Sequence, residues 1–370
     1  MDETDIQKAT LPIPEDEDDV RPPVISVGVV GWIRANLFNG WFNSVLTLVT
    51  LFLLWKSVPP FVKWAFFDSV WLTSGQACRD AAGACWSVVS QNYRFILFGF
   101  FPYEQHWRPL LAMLILFGLL FYSRDRSHWK KPLLYGWLIG LAAMGLLMKG
   151  GLLGLESVDS TQWGGLPLTL ILSVFGLTAA YPLGVVLALG RQSRMPMVKA
   201  ICVVYIEAIR GVPLISLLFM GSIILPLFLP EGVTINKILR AQVAIILFTA
   251  AYIAEVVRGG LQGMSTGQYE AADALGLNYY LTMRLVILPQ ALKIVIPPTV
   301  SILISAFKDT SLVVIIALFD LLKTSQTVLS NPEWMGFSPE VYVFVAILYF
   351  LGCFSMAQYS RKLERELDTG

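Results

Sequence analysis

Long, almost uninterrupted apolar runs alternate along this chain with short segments in which charge, glycine and proline concentrate. A helix needs about 20 mostly apolar residues to cross a hydrocarbon core of roughly 30 Å. Runs of that kind recur at 43–62, 108–123, 133–154, 166–189, 203–228, 239–261, 286–306 and 338–358. The pattern predicts an all-α integral membrane protein with about eight transmembrane helices. Prolines interrupt the fifth and seventh runs, and Pro213, which offers no amide donor, is expected to break or kink the fifth. Broken backbone at membrane depth is tolerated where it is buried or lines a cavity, so these interruptions point to a pathway wall.

Composition agrees with the bilayer: 56% of the residues are hydrophobic, 14% are charged and the mean hydropathy is +0.65. Basic residues mark the cytoplasmic loops. Arg124, Arg126, Lys130 and Lys131 fill one loop, Arg191, Arg194 and Lys199 another, and Arg361, Lys362 and Arg365 follow the last run. The intervening loops lean acidic, through Glu156, Asp159, Glu231, Glu333 and Glu340. Both termini are therefore expected in the cytoplasm. The first twenty residues are acidic and contain proline, unlike a signal peptide, and Glu15 to Asp19 reads as a solvated tail. Arg34 and Trp41 suit an interfacial entry to the first span.

Four cysteines and two histidines are too scattered for a metal site, with His106 and His128 expected on opposite sides of the membrane. Cys78 and Cys85 share the long outer loop, where an oxidising compartment permits a disulfide; two free thiols are the other reading. Cys202 and Cys353 read as packing residues.

The chain divides near Gly164. Expected are a tail and interfacial segment at 1–40, three spans with a large outer loop at 41–160, a core at 161–360 and a short cytoplasmic tail at 361–370. Nearly all the charge within spans lies in the second half, and ionisable residues there are costly enough to suggest function. The pattern Glu-x-x-Arg-Gly occurs twice, at Glu207–Gly211 and Glu255–Gly259. Residues three apart share a helix face, so Glu207 is expected to pair with Arg210 and Glu255 with Arg258, as a gate or as a structural ion pair. Lys308, Asp309, Thr310 and Ser311 place charge and hydroxyls between two apolar runs. That cluster suits a ligand with an ammonium and a carboxylate, Asp309 taking the former and Thr310, Ser311 and exposed backbone groups the latter; alternatively Lys308 and Asp309 neutralise each other and hold a gate.

Between the sixth and seventh runs lies the segment Glu270-Ala271-Ala272-Asp273-Ala274-Leu275-Gly276. Ser265 and Gln268 fit a capping box, so a helix is expected to start near Thr266 and to end where Gly276 turns left-handed. Asn278 caps the next helix, which runs through Arg284 to Leu288 and Pro289 and kinks at Pro297 and Pro298. Such a helix is a rigid lever on the cytoplasmic surface, or else an ordinary amphipathic loop.

The lever resembles the EAA loop of ATP-driven importer permeases, with Val286 where that family usually has isoleucine. With Arg210-Gly211-Val212-Pro213-Leu214, Glu255-Val256-Val257-Arg258-Gly259-Gly260, Gly267-Gln268-Tyr269-Glu270-Ala271-Ala272 and Phe307-Lys308-Asp309-Thr310-Ser311-Leu312 in order, residues 160–360 resemble a permease of the polar amino-acid uptake family of ABC importers. The stretch from Glu156 to Gly165 is similar to the general L-amino-acid permeases. The resemblance implies a type I importer core preceded by three extra spans, in a bacterial inner membrane. It implies that Glu270, Ala271, Ala272, Gly276, Leu288 and Pro289 couple the chain to separate ABC ATPase subunits. A periplasmic amino-acid-binding protein and a second permease subunit, homologous or identical, are the other implied partners; no nucleic acid is expected. The chain lacks the Gly-x-x-x-x-Gly-Lys-[Ser/Thr] loop, so ATP and Mg²⁺ belong to the partner, and this chain is expected to bind no cofactor and catalyse no reaction. Another polar nitrogenous solute, such as an opine, or a scaffold or sensor role are the competing functions.

Overall fold

The computed structural model describes residues 28–230 and 232–368 and consists of helices with connecting loops. The acidic run at Glu15 to Asp19 and Glu231 lie outside the described residues. Two compact units separate, the first containing residues up to Ser69 together with Ala82–Ala84, and the second the rest.

In the first unit, α1 (Gly28–Asn36) precedes α2 (Trp41–Val62), which continues as a π-helical turn over Lys63–Phe67. Thr47 Oγ1 donates to the Leu37 carbonyl at 2.7 Å and Ala84 N to the Trp64 carbonyl at 2.8 Å. Pro59 and Pro60 lie inside α2, and no α2 residue is buried within the chain. A helix apolar on every side is at home in lipid.

The second unit begins with α3 (Gly75–Asp80) and α4 (Ser87–Phe98), joined by a Cys78–Cys85 disulfide with Cα atoms 5.4 Å apart. Next come α5 (Trp107–Ser123), α6 (Lys131–Lys149) and α7 (Gly165–Arg191). Helix α8 (Pro196–Arg210) and α9 (Leu214–Phe219) form a bent pair, followed by α10 (Lys237–Gln262), α11 (Thr266–Ala274), α12 (Tyr279–Leu281) and α13 (Leu288–Ile294). The chain closes with α14 (Ile296–Asp309), α15 (Leu321–Leu329) and α16 (Ser338–Asp368).

Helices α7 and α10 pack along most of their length and form the axis of this unit. Their close approach depends on small residues: a Cβ on Gly184 would lie 2.6 Å from Ile253 Cγ2. Ala180, Ala188, Ala250 and Ala254 are fully buried beside it. Small side chains let backbones approach in a bilayer, where apolar surface gains little by leaving lipid for protein.

Among the described residues, seven helices are long and apolar enough to cross a membrane, and the α8–α9 pair is a further candidate. Two expected spans are redrawn. The run at 203–228 is not one rod, because α8 and α9 meet at 104° around Gly211–Pro213. Pro213 has no amide to continue α8, while its carbonyl accepts from Ser216 N and Leu217 N and so starts α9. The run at 286–306 slides along the chain to Ile296–Ile316. Pro297 and Pro298 occupy the first turn of α14, where a missing amide costs nothing, so they begin a helix instead of kinking one. Beyond Asp309 the span tightens to a 3₁₀ helix over Thr310–Ile316 and stops at Ala317 with φ +54°.

Candidate functional site

Helix α11 begins at Thr266 behind the N-cap Ser265, whose side chain makes no capping bond. The expected capping box is absent because Gln268 turns the other way: its Oε1 accepts from Gln290 Nε2 on α13 at 3.0 Å. A bond between two segments thereby replaces a local one. The helix ends as expected. Gly276 has φ +71°, its N–H donates to the Asp273 carbonyl at 2.9 Å, and Leu277 N reaches the Ala272 carbonyl at 3.1 Å. These two bonds make a Schellman motif. Asn278 Oδ1 then accepts from Leu281 N at 3.0 Å and starts α12, which opens into a π-helical stretch over Thr282–Ile287.

The outward and inward faces of α11 differ sharply. Ala272 is 2% exposed, whereas Glu270, Ala271 and Gly276 are exposed and Leu275 is 78% exposed. Tyr279, Tyr280 and Leu285 add exposed apolar surface beside Glu270. On the inner side, Tyr269, Val286 and Leu288 pack on a cluster that holds Val257 and Leu261 of α10, Ala188 of α7, Ile206 of α8 and Ala291 of α13. Pro289 is exposed in the first turn of α13. Tyr269 is thus the side chain by which α11 packs on that cluster.

The charged side chains of α7, α8 and α10 gather above that cluster, in an arrangement the Glu-x-x-Arg spacing does not give. Glu255 pairs with Arg258, whose Nε lies 3.0 Å from Oε1. Its other oxygen is 3.3 Å from Arg191 Nη1 and 3.6 Å from Arg210 Nη1. The expected Glu207–Arg210 pair does not form. Glu207 is taken by Arg191, the last residue of α7, at 2.8 Å, and Arg210 turns to α10. Arg191 was read only as a marker of the basic loop; the helix packing converts it into the bridge between two carboxylates. Three guanidinium groups thus share two carboxylates, and Arg258 Nη1 continues to Gln262 Oε1 at 2.6 Å, at the end of α10 that leads into α11.

Residues 308–311 lie at the junction between α14 and its 3₁₀ extension. Lys308 is exposed, Asp309 half-buried and Thr310 fully buried. Both hydroxyls donate to the helix itself, Thr310 Oγ1 to the Phe307 carbonyl at 2.7 Å and Ser311 Oγ to the Lys308 carbonyl at 2.9 Å. Ser311 keeps lone pairs for a donor such as an ammonium and so suits the same end of a zwitterion as Asp309 and not its carboxylate, whereas Thr310 is closed off from any solute. Among the described residues, Asp309 and Lys308 form no ion pair within 4 Å.

Further polar anchors lie elsewhere in the unit. Arg108, 1% exposed, donates from Nε to the Leu147 carbonyl at 2.7 Å and from Nη1 to the Glu156 carbonyl at 3.0 Å, tying α5 to the end of α6. At the far end of the unit, Glu333 and Glu340 reach back to the disulfide segment: Glu333 Oε1 accepts from Gly75 N at 3.2 Å and Glu340 Oε1 from Cys85 N at 2.9 Å. Asp320 caps α15 through Leu322 N and Lys323 N and accepts from Tyr349 Oη at 3.2 Å. Burial pushes its carboxyl up to about 6, although those hydrogen bonds pull the other way. Among the described residues, no group of three His, Cys, Asp or Glu side chains converges as a metal site would require.

Residues 180–369 match the family described as binding-protein-dependent transport system inner membrane component. Over 350 residues the chain is 47% identical to the inner membrane amino-acid ABC transporter permease protein YhdY of Escherichia coli K12, covering 92% of this chain and 93% of that one. It is 41% identical over 417 residues to the glutamate/glutamine/aspartate/asparagine transport system permease protein BztC of Rhodobacter capsulatus, covering 93% and 95%. The glutamate/aspartate import permease protein GltK of Escherichia coli CFT073 is 33% identical over 192 residues, covering 50% of this chain but 84% of that protein.

Proposed function

The chain belongs to the family of binding-protein-dependent transport system inner membrane components, and from that membership we propose that it is the membrane-spanning permease subunit of an ABC importer for L-amino acids. The family is one of transport permeases, and the chain is a multi-pass, all-α membrane protein. Energy comes from a partner. ATPase subunits close on ATP, the α11 helix moves, and the pathway alternates between an outward and an inward opening as a periplasmic binding protein delivers solute. A second permease subunit completes the pore. The chain sits in the inner membrane with both termini cytoplasmic, a core at 161–360 carrying the pathway. The three spans before it are an addition; GltK, which matches about half of this chain over 84% of its own length, supports that division.

The observation that carries the mechanism is the two-faced α11. Glu270 and Leu275 are exposed on a segment closed by a Schellman turn, while Ala272 is buried and Tyr269 anchors the helix to the cluster beneath the arginine network. Glu270, Ala271 and Gly276 meet the ATPase, Ala272, Leu288 and Pro289 fix the lever to its span, and Glu207, Arg210, Glu255 and Arg258 with Arg191 form the inner gate. Asp309, with Ser311, takes the ammonium of the passing solute, Lys308 attracts its carboxylate, and the buried Thr310 holds the turn behind them.

The test is reconstitution of this chain in proteoliposomes with its ATPase, second permease and binding protein. L-amino-acid uptake is expected only with ATP, and Asp309→Ala is expected to abolish uptake while leaving assembly intact. Uptake driven by an ion gradient without ATP would overturn the proposal.

A further inference from the structure

A cavity of about 350 Å³ opens where α4 turns into α5, its wall including Asn92, Arg94, Phe100, Tyr103 and His106. The chain reverses at Gly99, whose φ of +62° suits glycine, and the short 3₁₀ turn Tyr103–Gln105 leads back into α5. This reversal lays Arg94 on Tyr103. The guanidinium carbon lies 3.6 Å from the ring centroid and Nη2 donates to the Tyr103 carbonyl at 3.0 Å. No carboxylate lines the cavity, and Arg94 takes part in none of the ion pairs among the described residues. The cavity is therefore electropositive.

His106 closes the inner wall. It is 5% exposed, wedged between the rings of Phe98 at 4.7 Å and Tyr103 at 5.2 Å, and its Nε2 lies 2.9 Å from the Phe101 carbonyl oxygen. A carbonyl only accepts, so Nε2 carries the hydrogen and Nδ1 of the neutral ring is an acceptor. Nδ1 is buried and closed to the cavity, so His106 contributes its ring to the wall and no polar contact. The cavity thus offers a cation for an anion.

Its surroundings select among anions. Tyr103 opens the apolar stretch Tyr103–Ser123; Phe100 and Tyr103 of the cavity wall are 45% and 60% exposed, and Trp107, the first residue of α5, is 50% exposed. Aromatic side chains collect where a span meets the headgroup layer. A soluble anion gains nothing from such a rim, whereas a lipid lays its glycerol backbone and upper acyl chain against it. We infer that this cavity binds the headgroup of an anionic phospholipid, its phosphate on Arg94.

The full-length chain in nanodiscs of phosphatidylglycerol and phosphatidylcholine in equal parts tests this, with retained lipid counted by native mass spectrometry after mild extraction. Wild-type protein retains phosphatidylglycerol above the bulk ratio. Arg94→Gln lowers that enrichment about tenfold, the loss of one charge-assisted contact. Arg94→Lys, which keeps the charge and loses the planar fork, retains an intermediate amount and shows that the fold persists. Equal enrichment in wild type and Arg94→Gln overturns the assignment. So does Arg94-dependent binding of glycerol 1-phosphate in discs of phosphatidylcholine alone without phosphatidylglycerol enrichment in the mixed discs, which would make the site one for a soluble anion.

Discussion

Replacing Glu255 by Gln keeps the shape of the side chain and removes one of the two carboxylates that hold three arginines. The consequences are unequal. Arg191 keeps Glu207 at 2.8 Å and Arg258 keeps Gln262 at 2.6 Å, whereas Arg210 is left with only the face of Tyr252, 5.7 Å away. Breaking a fully buried ion pair costs about 3–5 kcal/mol, most of it from the stranded charge. Here the side chains of Arg210 and Glu255 are 33% and 22% exposed, so water offsets part of that cost. We expect Glu255→Gln to lose about 2 kcal/mol, a factor of about 30 in the folding equilibrium. Arg210→Gln added to it should restore about half, because the stranded cation is removed, and the two single changes should couple by at least about 1 kcal/mol. The assay is reversible unfolding in mixed micelles, followed by tryptophan fluorescence, for the four proteins of the double-mutant cycle. Additive single effects, or a Glu255→Gln loss below about 0.5 kcal/mol, would show that the arginines are independently solvated and that the network holds nothing together.

Gly276→Ala should cost about 1 kcal/mol, since φ +71° disfavours a side chain but open space surrounds the added carbon, and stimulated ATP hydrolysis should persist. Gly276→Pro cannot adopt that φ and loses the N–H that reaches Asp273; hydrolysis and uptake should uncouple, and unchanged stimulation would refute the lever. Cys78→Ser with Cys85→Ser opens a loop with a sequence separation of 7, worth about 2.5 kcal/mol by chain entropy. Proteolysis between residues 70 and 86 should then accelerate, and an unchanged digestion rate would contradict this. Asp320, near 3.8 when unfolded and about 6 when folded, holds more protons folded than unfolded between those values. Stability should therefore fall by up to about 3 kcal/mol as pH rises from 4 to above 6, then level off. Thermal unfolding across that range should show the slope in wild type and lose it in Asp320→Asn; a slope surviving the substitution would exclude Asp320 as its source.

Apolar run length and proline position, both one-dimensional properties, determined by themselves that this is a helical membrane protein with a broken fifth span. The end of α11 was equally legible, because Gly276 and Asn278 act through bonds to residues within a few positions of themselves. Where a side chain chose between a local partner and a distant one, only the tertiary structure decided. Gln268 left Ser265 for Gln290, Glu207 left Arg210 for Arg191, and Arg210 crossed to Glu255. The common cause is that a local pair between helical neighbours contributes only a few tenths of a kcal/mol, which any well-placed interhelical contact in a partly dry cluster exceeds. Arg108 and the Tyr349 bond of Asp320 were illegible for the same reason: carbonyls and a tyrosine brought together by packing leave no spacing to read, although the cap Asp320 makes on α15 is as local as that of Asn278.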